Sequence, residues 1–398
     1  MDETVTGRVR AVIQAASLSQ AAFADHIELT PDKLSKSLSG VRRFTSLELA
    51  LIAEVGQVSV DWLLSGREPL RPALAARARA ATLAGSARES VEELTERFTS
   101  AYDVLDLLGR SPELPELPEL PTVPASASPA DAASAGLPQA AEQGAALAEA
   151  ARALLVAGGA AAVDAQSADD LLASWERAFG VDIAVTRLPS GVDGLAWQSD
   201  HFRLILVNRT DRWTRQRFTI AHELGHILAR DAQDLLLEAE VEPARQHEAD
   251  EIRANSFAAH LLLPEDEVRA ACPDGPPTDE AFRILVVRFR VSPSALAARL
   301  RALDLMDRPT RDRLRRLTTA DCHAAVGAMR GYLQQATRAE AARHPLRLAG
   351  GLYAGYRDGD TTLRPLAALL ETDVDDLHDL LEPPTPDSAL EGDLVFQP

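Results

Sequence analysis

Two histidines and a glutamate with regular spacing are the residues of this sequence best suited to chemistry. They stand in the segment RFTIAHELGH, which ends at His226. On a helix His222 and His226 share one face, where both imidazoles can reach a single zinc ion, and Glu223 between them can act on a water. A short pattern with two free positions also arises by chance on solvated surfaces, so the spacing alone leaves both interpretations open.

A catalytic zinc site takes three protein ligands and a water, so a third ligand is required. The next predicted helix offers Glu251, and Asn255 follows one turn later on the same face. An amide at Asn255 can hold a histidine N–H and thereby orient the ring. His247, Glu248 and Asp250 are competing ligands, of which His247 is interpreted as a residue at the rim of the site.

The two histidines need a helix that packs on the core by its other face. A following helix has to bring the third ligand close to them. Trp213, Ile220, Leu224 and Ile227 form one apolar stripe, and the two histidines lie on the opposite side. Alternating apolar segments predict three strands, at 181–187, 193–198 and 201–208. Two helices are predicted to follow, at about 211–230 and at 245–263, the second ended by a proline.

The motifs RFTIAHELGHIL and DEIRANSFAAHLLLP, taken in this order, resemble the ImmA/IrrE family of metallopeptidases, and the resemblance covers about 165–304. It implies an α+β zincin-like domain with a small antiparallel sheet and an HExxH helix. It also implies zinc as the cofactor, His222, His226 and Glu251 as its ligands, Asn255 behind them, and Glu223 as the general base. The activity implied is cleavage of a repressor protein.

The chain departs from this family at two positions beside the motifs. Arg253 stands where the family often has an acidic residue, and His260 where it often has glutamate. Strand 201–208 is expected to pair with an extended substrate segment. No single residue stands out as the one that stabilises an oxyanion, and His201, His247 and Arg217 are candidates.

The first 67 residues carry three successive helix starts. Ser19, Thr30 and Thr45 are each predicted to cap a helix, and Glu48 completes a capping box with Thr45. Gly40 and Gly56 stand where two of these helices should end. Short helices joined by short turns predict a compact all-α bundle that begins with a helix-turn-helix.

This region resembles the XRE-type, lambda-repressor-like helix-turn-helix domain. The resemblance implies that the helix 31–39 enters the major groove, with Leu34 and Leu38 facing the core. The residues placed toward DNA are Asp32, Lys33, Ser35, Lys36 and Ser37, with Arg42 and Arg43 near phosphates. Residues 1–67 contain seven basic and eight acidic side chains, a net charge of −1. A protein–protein module that kept the fold and lost DNA binding is therefore the alternative.

The remaining segments divide the chain. Residues 68–110 predict a connecting helix, and 111–139 a Pro/Ala/Ser-rich linker, because prolines at every third position of a Pro-Glu-Leu run exclude helix and central strand. Residues 140–304 form the predicted peptidase domain. Residues 305–398 predict a helical region without a chemical constellation, whose acidic end argues against DNA contact.

Composition limits the class of protein. The chain has 398 residues, of which 46% are hydrophobic, and a net charge of −19, which excludes a non-specific nucleic-acid binder. The two cysteines cannot build a disulfide framework, and no run of about 18 apolar residues indicates a membrane span. We expect a cytoplasmic protein without a membrane partner.

Together these patterns predict a multidomain bacterial regulator, with a DNA-binding head joined to a zinc peptidase that cleaves a repressor and switches transcription. One alternative is a non-enzymatic regulator whose zinc domain is a sensor or dimerisation module. Another is a role in a toxin–antitoxin locus. The retained base Glu223 favours the enzyme, because a structural zinc needs no base and has four protein ligands. The oligomeric state is left open, a homodimer included.

Overall fold

The computed structural model describes residues 4–16, 19–27, 29–56, 58, 62–63, 85–120, 132–162, 166–231 and 243–381. The chain forms two compact units, Met1–Arg71 (unit 1) and Pro72–Pro398 (unit 2). Within the described ranges, no helix combines the length and the apolar character needed to cross a membrane.

Unit 1 is a small helical bundle around its own core. Its helices are α1 (Val5–Ala15), α2 (Gln20–His26), α3 (Pro31–Leu38) and α4 (Ser46–Gly56). Helix α3 contacts both α1 and α2, and its Leu34 and Leu38 are buried as predicted. The largest side chain of this core is Phe23, which is fully buried.

The predicted helix starts of unit 1 are confirmed by their hydrogen bonds. The Ser19 hydroxyl accepts from a backbone N–H at the start of α2, and Thr30 does the same at the start of α3. At the start of α4, the Glu48 N–H donates to Thr45 Oγ1 (3.3 Å) and the Thr45 N–H donates to Glu48 Oε2 (2.9 Å). This is the reciprocal capping box that the spacing predicts. Gly40 ends α3 with φ +77°, a conformation that glycine adopts without strain.

Unit 2 is rich in helices and contains one small sheet. Its strands are β1 (Asp182–Thr186), β2 (Gly194–Gln198) and β3 (Arg203–Asn208). Its helices are α5 (Gly85–Leu107), α6 (Ala132–Ala157), α7 (Ala168–Phe179), α8 (Trp213–Ala229), α9 (Pro243–Leu262), α10 (Glu265–Ala270), α11 (Asp279–Phe289), α12 (Pro293–Ala302), α13 (Arg308–Leu314), α14 (Thr319–Ala325), α15 (Met329–Glu340), α16 (Leu346–Arg357), α17 (Arg364–Leu370) and α18 (Val374–Leu381).

The sheet corrects two expectations. Its strand order is β1-β3-β2, with β1 parallel and β2 antiparallel to β3, so the sheet is mixed rather than antiparallel. The reason is that β3 inserts between β1 and β2, which makes neighbours of two strands that run in the same direction. Because both edges of β3 are paired, β3 cannot accept an extended substrate. The outer edge of β2 is paired with no other strand of the described residues.

The linker and the connecting helix predicted before residue 140 differ from the structure. Residues 111–120 have no regular secondary structure, but Leu117 is buried in the main core of unit 2. The buried Arg203 holds this segment by donating to the carbonyls of Pro115 (2.9 Å) and Phe179 (2.6 Å). Residues 121–131 lie outside the described residues, and α6 already begins at Ala132.

Helix α5 packs into unit 2 instead of standing apart as a connector, and residues 68–84 lie outside the described ranges. The ring of Tyr102 stacks on Phe202 at 4.4 Å between centroids. The Tyr102 hydroxyl donates to Asp182 Oδ2 (2.8 Å), and burial raises the pKa of Asp182 to about 6. Helix α5 also contacts α16 and α17, so the helical region after residue 305 belongs to the same unit.

The C-terminal helices reach the sheet through Arg343. Its backbone forms an antiparallel bridge with Val185 of β1, with N–O distances of 2.9 and 3.0 Å. Its guanidinium pairs with the buried carboxylate of Glu176 (2.6 Å), whose other oxygen accepts the N–H of Ile183 (3.1 Å). A buried ion pair that also uses a backbone donor satisfies both of its charges. The helices after residue 305 therefore complete the peptidase-like unit at β1.

Candidate metal centre

Helix α8 presents the two histidines because it is buried on more than one side. Ile220 and Leu224 pack in the main core, and both imidazoles, on the other side, are 7% exposed. The helix ends at Arg230, which adopts a left-handed conformation with φ +62°. This turn directs the next residue, Asp231, back to the last helical turn, where its N–H donates to the His226 carbonyl (3.1 Å).

Three donor atoms from α8 and α9 converge. His222 Nε2 lies 3.2 Å from His226 Nε2 and 3.6 Å from Glu251 Oε2, and His226 Nε2 lies 3.8 Å from Glu251 Oε1. Among the described residues, this is the one group of histidine, cysteine and acidic side chains close enough to share a metal ion. Donors at zinc–ligand distances of about 2.0–2.2 Å in a tetrahedron are roughly 3.3–3.6 Å apart. Two imidazoles and a carboxylate at these separations fit a zinc ion.

Each histidine has a polar group beside its second ring nitrogen, a hydrogen-bonding amide for His222 and a carboxylate at ion-pair distance for His226. His222 Nδ1 lies 3.1 Å from Asn255 Oδ1, which leaves Nε2 for a metal when Nδ1 carries the proton. His226 Nδ1 lies 3.5 Å from Asp231 Oδ2. Burial lowers the pKa of His226, but the negative charges of Asp231 and Glu223 outweigh burial and raise this pKa above its ordinary value.

Close approaches at two glycines set the position of α8. At Gly225, a Cβ would lie 3.2 Å from the Ala254 Cα and 3.0 Å from a ring carbon of Phe257, so glycine lets α9 approach and bring Glu251 within reach. At Gly194 of β2, a Cβ would lie 2.9 Å from Glu223 Oε1 and 2.6 Å from a Thr219 methyl. The carboxylate of Glu223 therefore lies directly beside β2.

Sequence reasoning missed Asp231 and Gly194. Asp231 is the first carboxylate after the second histidine, just past the helix end, and that position is a usable signal. Gly194 lies in the predicted strand 193–198 and is the first residue of β2, but the prediction gave it no part in the site. Its role depends on which helix packs on this strand, and no local pattern shows that.

Arg253, at which the sequence departs from the family pattern, has acidic neighbours in the structure. Arg253 is buried, pairs with Asp250, and lies 3.8 Å from Asp231. Asp250 is thus engaged by an arginine, while Glu251 is the acidic residue that reaches the histidines. His247 and Glu248, the other competing ligands, lie outside the residues whose side chains the structure describes.

Of the three candidates for oxyanion stabilisation, the structure describes the side chains of Arg217 and His201 but not that of His247. Arg217 lies about 140° around α8 from His222 and about 180° from His226. It is buried, and this burial, with a smaller effect of Arg290, lowers its pKa to about 9. His201 is exposed in the turn between β2 and β3.

The residues predicted to face DNA divide into two groups. Side chains at 32, 33, 35, 36, 42 and 43 are exposed or partly exposed. Ser37 is instead fully buried, which corrects its placement toward DNA. Its hydroxyl accepts from Arg42 (2.9 Å), and Arg42 also pairs with Glu48 (2.5 Å), which raises the pKa of Arg42. Arg42 therefore holds Glu48 of the capping box at the start of α4, and its charge is already paired with a carboxylate instead of being free for a phosphate.

A small mixed sheet above an HExxH helix, followed by a helix that supplies a carboxylate, is the arrangement of a metallopeptidase domain. Residues 176–301 match the model of the Peptidase_M78 family, described as the IrrE N-terminal-like domain. Two curated relatives are called radiation response metalloprotease IrrE. The one from Deinococcus radiodurans is 35% identical over 118 residues, 29% of this chain and 35% of the relative. The one from Deinococcus deserti is 37% identical over 116 residues, 28% of this chain and 41% of the relative.

The chain thus spans between a third and about two fifths of the length of these relatives. The region 176–301, which matches the family model, contains β1–β3, α8, α9 and the converging donor atoms. Both comparisons support a metallopeptidase domain that uses a divalent metal ion.

Proposed function

We propose that this protein is a zinc-dependent endopeptidase whose metal ligands are His222, His226 and Glu251. The observation that carries the proposal is the convergence of their three donor atoms within 3.2–3.8 Å beside the buried carboxylate of Glu223. Three protein ligands leave one position for water and substrate, as in catalytic sites, whereas a closed structural site has four. A sensor without catalysis has no use for Glu223 at this place.

A zinc ion held by His222, His226 and Glu251 would act as a Lewis acid and would make a water more acidic. Glu223 accepts the proton of the attacking water and returns it to the leaving amine. Asn255 and Asp231 keep the two imidazoles oriented. The Glu223 side chain contacts the face of β2 at Gly194, and the outer edge of β2 is free of any other described strand, so an extended peptide added to this edge would lie on the strand that contacts the general base.

The first experiment is Glu223→Gln, which keeps the size of the side chain and removes the proton acceptor. We expect cleavage of a protein substrate to fall by about two to four orders of magnitude, because this is the usual contribution of general-base catalysis. Zinc content should stay at the wild-type level, because Glu223 is not a ligand. Glu280→Gln, on the exposed first turn of α11, is the matched control. If Glu223→Gln retains full activity, the proposal fails.

We infer that the substrate is a repressor protein and that its cleavage switches transcription. The relatives' printed name, a radiation response metalloprotease, supports a peptidase that acts in a response. Incubating wild type and Glu223→Gln with each helix-turn-helix repressor encoded by a neighbouring gene tests the inference. Cleavage by the wild type alone is expected, and an intact repressor in both reactions contradicts it.

A second function is proposed for unit 1, namely binding of DNA through α3. The supporting observation is that Lys33, Ser35 and Lys36 share an exposed face of α3, opposite the buried Leu34 and Leu38. The ammonium of Lys36 pairs with Asp32 (2.7 Å), but both groups are exposed, so a phosphate can replace the carboxylate at small cost.

Lys33→Ala combined with Lys36→Ala tests this second function. Binding to a promoter fragment should weaken, and the dependence of log Kd on log salt should become shallower by up to two phosphate contacts. Arg308→Ala with Arg364→Ala removes the same charge from exposed positions of unit 2 and serves as the control. Equal mobility-shift titrations for both double variants would favour a protein–protein role for unit 1.

A further inference from the structure

A large cavity in unit 2 lies apart from the converging donor atoms. Its volume is about 910 Å³, within the roughly 300–1,000 Å³ of small-molecule sites and larger than one amino-acid side chain needs. It is bounded by the beginning of α8, the end of α9, α12, the beginning of α14, and α15. The lining is mainly apolar and includes Trp213, Phe218, Leu262, Val291 and Ala295.

The cavity contains a buried guanidinium that forms no ion pair with a carboxylate of the described part of the chain. Arg299 is 7% exposed, and its Nε donates to the Leu263 carbonyl (2.9 Å). Its Nη1 donates to His260 Nε2 (2.9 Å), while His260 Nδ1 donates to the Ser256 carbonyl (2.8 Å). This pattern requires a neutral imidazole, so both partners of Arg299 are neutral. Burial lowers the pKa of His260, in agreement with the neutral ring.

The acidic groups near Arg299 do not neutralise its positive charge. Glu265, the acidic residue that acts on Arg299 from a distance, is itself paired with Arg269 (2.7 Å). Arg212 and Arg215, the latter paired with Asp193, also line the cavity, and Asp211 is its one acidic lining residue among those that the structure describes. A buried charge normally has an ionic partner, because its removal from water is costly. The cavity therefore has a net positive lining in a chain of net charge −19. A guanidinium is a donor only, so the partner that the buried charge of Arg299 lacks has to be an anionic acceptor.

We propose that this cavity binds a small amphipathic carboxylate, with Arg299 holding the anionic group and the apolar walls holding the hydrocarbon or aromatic part. The proposal is independent of the proposed peptidase activity, since none of the converging metal donors lines the cavity. Phe218 nevertheless precedes His222 by one turn of α8, and Ala259 follows Asn255 by one turn of α9. The bound molecule would thus contact both helices that carry the candidate metal ligands.

The probe is 8-anilinonaphthalene-1-sulfonate, an aromatic anion whose fluorescence rises in apolar sites. Titration of the full-length protein should give one site per chain. Decanoate should displace the dye, and decan-1-ol, which has the same chain without the charge, should displace it at least about tenfold more weakly. Absence of a saturable site, or equal displacement by the acid and the alcohol, would overturn the proposal.

Two variants locate the site. Arg299→Gln should weaken dye and decanoate binding about tenfold or more, because a charge-assisted hydrogen bond is lost. Arg301→Gln, an exposed arginine on the same helix, should bind as the wild type does. Ala298→Trp adds bulk at an exposed position of the lining and should also weaken binding, whether or not Arg299→Gln folds. Unchanged binding in Ala298→Trp would place the dye elsewhere and refute the assignment.

Discussion

His222 and His226 differ in the groups that orient them. The Nδ1 of His222 faces a neutral amide, and that of His226 faces a carboxylate which the left-handed Arg230 brings back to the helix. Partners of this kind fix the tautomer and the ring plane, so that Nε2 is presented as a ligand. A third donor, Glu251, completes the group. The neighbouring carboxylate of Asp250 does not compete with it, because Asp250 is paired with the buried Arg253.

Removing a ligand and removing the residue that orients a ligand should lower zinc affinity to different extents. Glu251→Ala should remove most of the zinc from purified protein, because one of three ligands is lost. Asn255→Ala should keep the site and weaken zinc binding by about 10–100-fold, the usual effect of losing an orienting partner. Competition with a chromogenic chelator measures both, and Glu248→Ala should match wild type. Equal affinities in all four proteins would remove Glu251 from the site.

At the scale of elements, the packing of α8 on β2 determines where the proposed general base lies. Helix α8 packs against β2, and the first residue of this strand is a glycine in contact with the Glu223 side chain. A side chain at this position would force Thr219 or Glu223 to move, whereas no candidate metal donor is among its nearest atoms.

Gly194→Ala is therefore expected to reduce peptidase activity strongly, since its Cβ at 2.6 Å from Thr219 and 2.9 Å from Glu223 forces one of them to move. Misplacement by about 1 Å can lower a rate by roughly a hundredfold. Zinc content should not change. Gly331→Ala, in α15 with no atom within 4 Å of its added Cβ, should leave activity unchanged and slightly stabilise the helix. A fully active Gly194→Ala variant would show that β2 does not position Glu223.

For the whole molecule, the decisive feature is that each unit has its own core. The core of unit 1 lies among α1–α4, and the main core of unit 2 runs from Leu117 through α13 and α14. Helix α5, residues 111–120 and the helices after residue 305 all belong to unit 2. The predicted head thus has a core of its own, while the predicted connector and C-terminal region belong to the same unit as the predicted catalytic part.

Two cores predict two independent unfolding transitions. Leu34→Ala removes a side chain that is 1% exposed, which should cost unit 1 about 2–5 kcal/mol and lower one calorimetric transition. The other transition and the zinc content should be unchanged. Phe282→Ala, in the core of unit 2, should have the reverse effect. Joint displacement of both transitions by either variant would contradict independent units.

Much of this protein follows from the sequence because it is encoded locally. The helix caps at Ser19, Thr30 and Thr45 depend on bonds across three residues, and the positions of β1–β3, α8 and α9 depend on periodicity and breakers. The grouping of His222, His226 and Glu251 was accessible for the same reason, since two four-residue spacings on successive helices define their faces.

The tertiary structure alone decided the features that join distant parts of the chain. The parallel pairing of β1 with β3 depends on which strand inserts between the others, and this pairs both edges of β3 and leaves β2 at one edge of the described sheet. The burial of Ser37, the contact of Gly194 with Glu223 and the unpaired charge of Arg299 arise from side chains far apart in sequence. Such contacts are set by packing between elements, and packing has no signature in the periodicity of any one element.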